Sequence, residues 1–253
     1  MNKNDPIAVF DSGVGGVSGL KELIALMPNE QFYYFGDCAN APYGLKTTEQ
    51  VRDLTLAAAE KLFSMGAKAL VVACNTATAA AITELRTAYP NHIIIGIEPA
   101  LKLARDRHPG GTIGIMATDV TLREQKLAAL MDRFYSDCKI IRLPSPGVVE
   151  LVEAGLGDSQ AATELMNAEL GHLKDELDAL VLGCTHYPFV TNAIRRVLGD
   201  KVDLLDGGEG TARETRRRLE EADLFSDGPG GLRIEVSAGG EEKHKLIETL
   251  LNT

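Results

Sequence analysis

No apolar run in the sequence approaches the ~18 residues of a membrane-spanning helix, so none reads as a transmembrane segment. The first residues, MNKNDPIAVFDSG, hold only the short apolar run IAVF before a polar glycine loop. A secretory leader needs an apolar stretch of roughly 7–15 residues and a small-residue cleavage site, so the expectation is a cytoplasmic protein. Positive charge is not in excess either: the formal net charge is −10. An acidic surface gains nothing from a polyanionic backbone, which argues against general nucleic-acid binding. The basic cluster Arg216, Arg217 and Arg218 sits among Glu214, Glu220 and Glu221 and reads as the solvated face of a helix. The four cysteines, Cys38, Cys74, Cys138 and Cys184, show no CxxC spacing. They read as free thiols of a reducing compartment, not as a disulfide framework. Ligand-type residues are not clustered at metal spacing, so no zinc site is expected.

What the sequence does hold is a repeated alternation. The runs IAVF (7–10), FYYF (32–35), ALVVA (69–73), IIIGI (93–97), TIGIMA (112–117), KIIRL (139–143), ALVLG (179–183), VDLL (202–205) and LRIEV (232–236) are rich in Val, Ile and Leu. They mostly lack polar alternation, as do strands buried on both faces of a parallel sheet. Helical patterns lie between them, for example at 47–65, 77–88, 121–134, 159–176, 188–198 and 209–222. Strand–helix alternation of this kind predicts an α/β fold with mostly parallel sheets flanked by helices. Nine strands exceed one ordinary sheet of about 5–6, so two sheets and two lobes are expected. ALVVACNT is echoed by ALVLGCTH, and more weakly IAVFDS by IGIMAT. The expectation is two similar lobes, 1–97 with 207–253 and 98–206, related by a pseudo-twofold axis. A ligand is then expected in a cleft facing the carboxyl ends of both sheets.

Cys74 and Cys184 occupy equivalent places in the two repeats. Each follows a buried strand, and for Cys74 the pattern places a helix start near Thr76 or Ala77. A thiol at a helix N-terminus meets unpaired N–H groups and the positive end of the dipole, which favours the reactive thiolate. A lone cysteine after a strand is more often a small buried hydrophobe, and that reading stands for Cys38 and Cys138. A matched pair argues for chemistry. Racemisation removes a proton from one face of a carbon and returns one to the other, which one thiolate and one thiol on opposite faces can do. Nucleophilic attack on a carbonyl or nitrile carbon needs only one thiol and leaves the second unexplained.

Other motifs surround the thiols. In FDSGVGG (10–16), Asp11 and Ser12 end the first strand, and Gly13, Gly15 and Gly16 form a turn whose N–H groups suit an anion. The GxGG spacing is not the dinucleotide GxGxxG, and no P-loop lysine follows. In GDCANAPYGLKT, Asp37, Asn40, Pro42 and Gly44 are loop chemistry, while Tyr43 and Gly44 offer a phenol and a backbone N–H. Asn75, Thr76, Thr185 and His186 add polar groups suited to a small zwitterion. His186 either holds Cys184 as thiolate or acts as its proton relay, or else caps a helix or is a satisfied buried histidine. Glu153 either carries a carboxylate to the site or lies on a solvated helix face.

Taken in order, FDSGVGG, GDCANAPYGLK, ACNTATA and GCTHYP resemble the cofactor-independent, two-cysteine glutamate racemases, from about residue 7 to 206. The resemblance implies two α/β lobes and interconversion of L- and D-glutamate without pyridoxal phosphate or metal, with D-glutamate entering peptidoglycan. By motif match, Cys74 and Cys184 look like the acid/base pair, with Cys74 serving the D-isomer and Cys184 the L-isomer. Asp11 and Ser12, Tyr43 and Gly44, Asn75 and Thr76, and Thr185 and His186 resemble the family's substrate contacts, as does Thr121. Asp11, His186 and Glu153 look like polar assistants to the thiols. A homodimer is left open.

Three departures stand out. Ser145–Pro146 replaces the family's frequent Cys–Pro, Glu124 stands where a serine often follows Thr121, and Gly207–Gly208 replaces a less glycine-rich segment. No long N-terminal extension of the kind that goes with activation by a cell-wall precursor precedes the first strand, so no such activation is expected. The rivals are a racemase of the same superfamily acting on aspartate or a hydantoin, and a two-lobed binding protein without chemistry.

Overall fold

All nine apolar runs are strands, within a residue or two of the expected bounds. The computed structural model describes residues 1–123 and 125–253. Its contacts divide the chain into two units, Met1–Glu98 with Gly208–Thr253, and Pro99–Gly207. The chain opens with β1 (Ile7–Asp11), α1 (Val17–Leu26), β2 (Gln31–Gly36), α2 (Thr48–Ser64), β3 (Ala69–Val72), α3 (Asn75–Ala88) and β4 (Ile93–Gly96). The second unit holds α4 (Leu101–Arg107), β5 (Thr112–Ala117), α5 (Asp119–Arg123), α6 (Gln125–Phe134), β6 (Lys139–Pro144) and α7 (Val148–Glu153). It continues through α8 (Gln160–Leu170), β7 (Ala179–Leu182), α9 (Thr191–Leu198) and β8 (Asp203–Asp206). The chain then completes the first unit with α10 (Gly208–Glu221), β9 (Gly231–Val236) and α11 (Gly240–Leu251).

The first unit is a five-stranded sheet in the order β4-β3-β1-β2-β9, with every pairing parallel. Central strands β1 and β3 are buried along their whole length, as continuous apolar runs require. On one face, Val51, Ala58 and Leu62 of α2 and Ala77, Ala81 and Leu85 of α3 pack over Phe10, Phe35, Leu70 and Val72. Those spacings put each set on a single helix face, and each fully buried large side chain contributes roughly 1.5–3 kcal/mol. Helix α2 starts where Thr47 and Gln50 cap each other: Gln50 N–H donates to Thr47 Oγ1 at 3.2 Å and Thr47 N–H to Gln50 Oε1 at 3.0 Å. Helix α1 packs against α10 and α11, and α10 also against β4. The outer face of α10 carries the basic cluster, where Arg216 pairs with Glu220 at 2.8 Å and Arg217 with Glu214 at 2.7 Å and Glu221 at 2.6 Å.

The second unit is a four-stranded parallel sheet in the order β6-β5-β7-β8. Leu127, Met131 and Phe134 of α6 pack over Ile113, Ile115, Ile140 and Val181. Read from the other edge, β8-β7-β5-β6 repeats β4-β3-β1-β2, so β7 stands in its sheet where β3 stands in the first. Ile7 pairs with Ala69, and Ile113 with Ala179, in matching register.

Several local expectations shift. The 188–198 pattern splits into a 3-10 turn, Tyr187–Val190, and α9. Pro188 has no N–H and disfavours the α conformation at Tyr187, so the segment opens as the tighter turn. The 159–176 pattern ends its α-helix at Leu170 and continues as a 3-10 turn from Gly171, a weak helix former. The 121–134 pattern covers the end of α5 and the whole of α6, and Glu124 lies outside the described residues. The helix expected at 209–222 begins within the glycine run: Gly208 and Gly210 belong to the first turn of α10.

Candidate active site

The Gly13–Gly16 turn joins β1 to α1. It is buried, and its N–H groups are not all open to an anion. Gly13 N–H donates to Asp11 Oδ2 at 2.9 Å, and Gly13 O accepts from the Tyr34 hydroxyl at 2.7 Å. A Cβ at Gly16 would lie 2.5 Å from Asp11 Cβ, so only glycine lets the turn close over this carboxylate. Asp11 is thereby held, fully buried, at the carboxyl end of β1.

Cys74 lies two residues past β3 and caps α3, which begins at Asn75, slightly earlier than expected. Its Sγ accepts from Ala77 N–H at 3.4 Å, and its carbonyl accepts from Thr78 N–H at 2.9 Å. The α3 dipole therefore favours the thiolate. Ser12 Oγ lies 3.5 Å from the same sulfur. A hydroxyl rotates, so it accepts from the thiol and donates to the thiolate. Asn75 and Thr76 form the buried first turn of α3. Asn75 Oδ1 has no hydrogen-bond partner among the described residues. Tyr43, in a 3-10 turn with Gly44, is buried, and its phenol donates to Asp37 Oδ2 at 2.7 Å. Burial, then the Asp37 hydrogen bond and charge, push that phenol far above the usual tyrosine range. Its proton is therefore committed to Asp37 and not offered to a ligand.

Cys184 lies two residues past β7, the place Cys74 has past β3. The surroundings differ. Cys184 caps no α-helix; it enters a turn in which Tyr187 N–H donates to Cys184 O at 3.1 Å. Its Sγ lies 3.7 Å from His186 Nδ1, and His186 Nε2 lies 2.9 Å from Glu153 Oε1, at the end of α7. An ionised Glu153 accepts the proton of Nε2 and leaves the Nδ1 lone pair facing the thiol. The arrangement places a carboxylate-oriented ring nitrogen within reach of the Cys184 sulfur. Thr185 is buried next to it. Tyr187 donates to Ser145 O at 3.0 Å, which ties the turn to the end of β6. Burial first, and then the nearby Cys184, push the Tyr187 phenol up. Ser145 uses its own groups locally: N–H donates to Ala117 O at 3.3 Å and Oγ to Leu143 O at 3.3 Å. Thr121, buried on α5, accepts from Thr118 Oγ1 at 3.0 Å.

The residues proposed for the site follow the carboxyl ends of strands in the chain, where open α/β sheets bind ligands. Asp11, Ser12, Tyr43, Gly44, Cys74, Asn75 and Thr76 belong to the first unit; Thr121, Glu153, Cys184, Thr185 and His186 belong to the second. Among the described residues, no group of three or more His, Cys, Asp or Glu is placed to hold a metal ion. No helix among them is long and apolar enough to cross a membrane. Cys138 is buried against His108 O at 3.5 Å, and Cys38 lies half-buried in a 3-10 turn.

Residues 20–215 match the sequence model of the Asp/Glu/Hydantoin racemase family. A glutamate racemase of Clostridium botulinum is 46% identical over 254 residues, covering 99% of this chain and 98% of its own. The crystal structure of glutamate racemase from Thermus thermophilus in complex with beta-chloro-D-alanine is similar with a TM-score of 0.83 at 38% identity, covering 99% of this chain and 94% of that one. The glutamate racemase of Francisella tularensis, solved in complex with D-glutamate, has a TM-score of 0.85 at 26% identity, with coverage of 99% and 95%. The chain is thus similar along nearly its whole length to known glutamate racemases, and it belongs to the Asp/Glu/Hydantoin racemase family.

Proposed function

We propose that this protein is a glutamate racemase in which Cys74 and Cys184 exchange the α-proton of L- and D-glutamate. The observation that carries the reading is the matched position of the two thiols, each two residues past an equivalent strand of its own sheet. Nucleophilic chemistry gives one of them no task; two-base proton transfer needs both. The full-length similarity to glutamate racemases supports glutamate as the substrate.

In the L-to-D direction, Cys184 as thiolate takes the α-proton, and Cys74 as thiol delivers its own proton to the opposite face of the carbanion. The product leaves with Cys184 protonated and Cys74 as thiolate, the state that accepts D-glutamate for the reverse reaction. Each thiolate has its own support. Cys74 has Ala77 N–H, the α3 dipole and Ser12. Cys184 has the His186–Glu153 pair. Asp11 joins the polar assistants, and the unpartnered Asn75 Oδ1 supplies an acceptor suited to the substrate ammonium. Thr76, Thr121, Thr185, Ser12 and the Tyr43–Gly44 backbone complete the proposed substrate contacts. The thiols supply both base and acid, so the reading calls for no pyridoxal phosphate or metal. D-glutamate made this way in the cytoplasm supplies peptidoglycan.

The test is chiral analysis of L-glutamate incubated with the purified protein without added cofactor, beside L-aspartate. The expected result is D-glutamate approaching equal amounts, solvent deuterium at the α-carbon, and near-complete loss of turnover in both Cys74→Ser and Cys184→Ser. Full activity in either single variant overturns the two-base assignment, and preferential turnover of aspartate overturns the substrate.

A further inference from the structure

Asp37 follows β2 and is a buried acidic residue, only 6% exposed. No cation faces it among the described residues; neutral donors hold it instead. Asn40 Nδ2 donates to Oδ1 and Oδ2 at 3.1 and 3.0 Å, the Tyr43 hydroxyl to Oδ2 at 2.7 Å, and the Ser237 hydroxyl to Oδ1 at 2.9 Å. A buried carboxyl group needs hydrogen bonds to replace its lost hydration, and three side chains supply them here. Two of them lie in the same loop as Asp37. The third, Ser237, lies just past β9, the edge strand added late in the chain.

Ser237 does more than donate to Asp37. Its Oγ also accepts from Ala39 N–H at 2.9 Å, and its backbone N–H donates to Gly36 O at 3.0 Å. One serine therefore ties the start of the 37–44 loop to the end of β9 at three points. An ionised Asp37 is acceptor-only, so it also fixes the direction of the Tyr43 hydroxyl: the proton points at Asp37, and any third group meets that oxygen only as an acceptor. An asparagine there rotates to donate as readily as accept and loses this control.

We propose that Asp37 is a positioning residue for the loop that presents Tyr43 and Gly44 to the substrate, and that Ser237 is the loop's second anchor. This rests on the reading of Tyr43 and Gly44 as substrate contacts. Neither Asp37 nor Ser237 needs to touch substrate. Loosening the loop weakens ground state and transition state alike, so the effect falls on KM and spares kcat.

The experiment is steady-state racemisation of both enantiomers by the full chain and by Tyr43→Phe, Asp37→Asn, Ser237→Ala and Ser237→Thr, with amide hydrogen exchange across residues 37–45. Asp37→Asn is expected to raise KM about tenfold for both enantiomers, the size of one lost charge-assisted hydrogen bond, with kcat nearly unchanged. Ser237→Ala is expected to raise KM about threefold, Ser237→Thr to restore it, and loop amides to exchange faster in the first two variants only. If Asp37→Asn fails to fold, the Ser237 pair decides alone. Unchanged KM in Asp37→Asn and Ser237→Ala, while Tyr43→Phe raises it, overturns the proposal. So does a fall in kcat without a change in KM, or no rescue by threonine. If none of these variants changes KM, the substrate role of the loop falls first and the proposal with it.

Discussion

His186 Nε2 and Glu153 Oε1 lie 2.9 Å apart, and the other nitrogen of the same ring lies 3.7 Å from Cys184 Sγ. The ring is buried and the carboxylate nearly so, at 3% and 16% side-chain exposure. A pair so shielded orients the imidazole and stabilises its charged form far better than an exposed pair does.

Glu153→Gln removes the charge and keeps the shape. On the proposed mechanism it lowers kcat/KM about 100-fold, the low end of a general acid–base contribution. The loss must be equal for the two enantiomers, because their equilibrium constant is one and fixes the ratio of the two kcat/KM values. Asymmetry appears in the isotope effect instead. Deprotonation by Cys184 becomes more rate-limiting, so α-deuterated L-glutamate shows the larger increase. Progress curves by circular dichroism with both deuterated enantiomers check this; a loss below threefold sinks the relay.

Gly16 and Gly19 give opposite predictions within one short segment. A Cβ at Gly16 meets Asp11 Cβ at 2.5 Å and Cγ at 2.9 Å, whereas one at Gly19 meets nothing within 4 Å. Gly16→Ala is expected to cost about 1–3 kcal/mol of stability by overpacking and to lower turnover by displacing Asp11. Gly19→Ala, inside α1, is expected to stabilise by about 0.5–1 kcal/mol with activity unchanged. Urea unfolding and turnover of the two variants compare them directly; equal effects would falsify the close-approach argument.

Lys68 and Glu30 form a fully buried ion pair in the first unit, 2.6 Å apart, with both side chains at 0% exposure. Lys68 Nζ also donates to Lys3 O at 2.5 Å and Leu224 O at 2.9 Å, and Glu30 Oε1 accepts from Ser226 N–H at 2.8 Å. The pair thus joins the N-terminal segment to the loop between α10 and β9. Lys68→Met leaves the Glu30 carboxylate buried without its cation and is expected to cost about 3–5 kcal/mol. The site lies at the amino ends of the strands, so turnover of the folded fraction stays near wild type. Urea titration measures the first and a specific-activity assay the second; a cost under about 1 kcal/mol contradicts the burial argument.

The strands were legible because side chains buried on both faces of a parallel sheet leave a continuous apolar run, as IAVF and ALVVA show. Both thiols were legible because they end such runs. The start of α3 was not, because Asn75 and Thr76 are themselves common capping residues while the actual cap is a sulfur. The turn at Gly13 looked like an open anion site, and only the fold shows Asp11 already bonded to its N–H. Glu153 to His186, Lys68 to Glu30 and Asp37 to Ser237 are pairings across long sequence separations, and no local pattern of residues encodes them.

Glu169, on α8, carries the last prediction. Its Oε2 is buried and has no hydrogen-bond partner among the described residues. Burial pushes its carboxyl above the usual value of 4.5. A carboxyl with a raised folded pKa favours the fold while protonated. Its contribution is fully present below pH 4.5 and is lost as pH rises through the higher folded value. Near neutral pH the native state therefore holds a partly desolvated charge that the unfolded chain solvates freely. Glu169→Gln keeps the shape and removes that charge, so its melting temperature exceeds that of wild type at pH 7. The gap closes only as pH falls below 4.5, where the wild-type carboxyl becomes protonated in the unfolded chain as well as in the fold. Thermal melts of the two proteins across this range read the difference directly. A gap that stays constant with pH, or wild type melting higher at pH 7, rules out a buried charge as the cause.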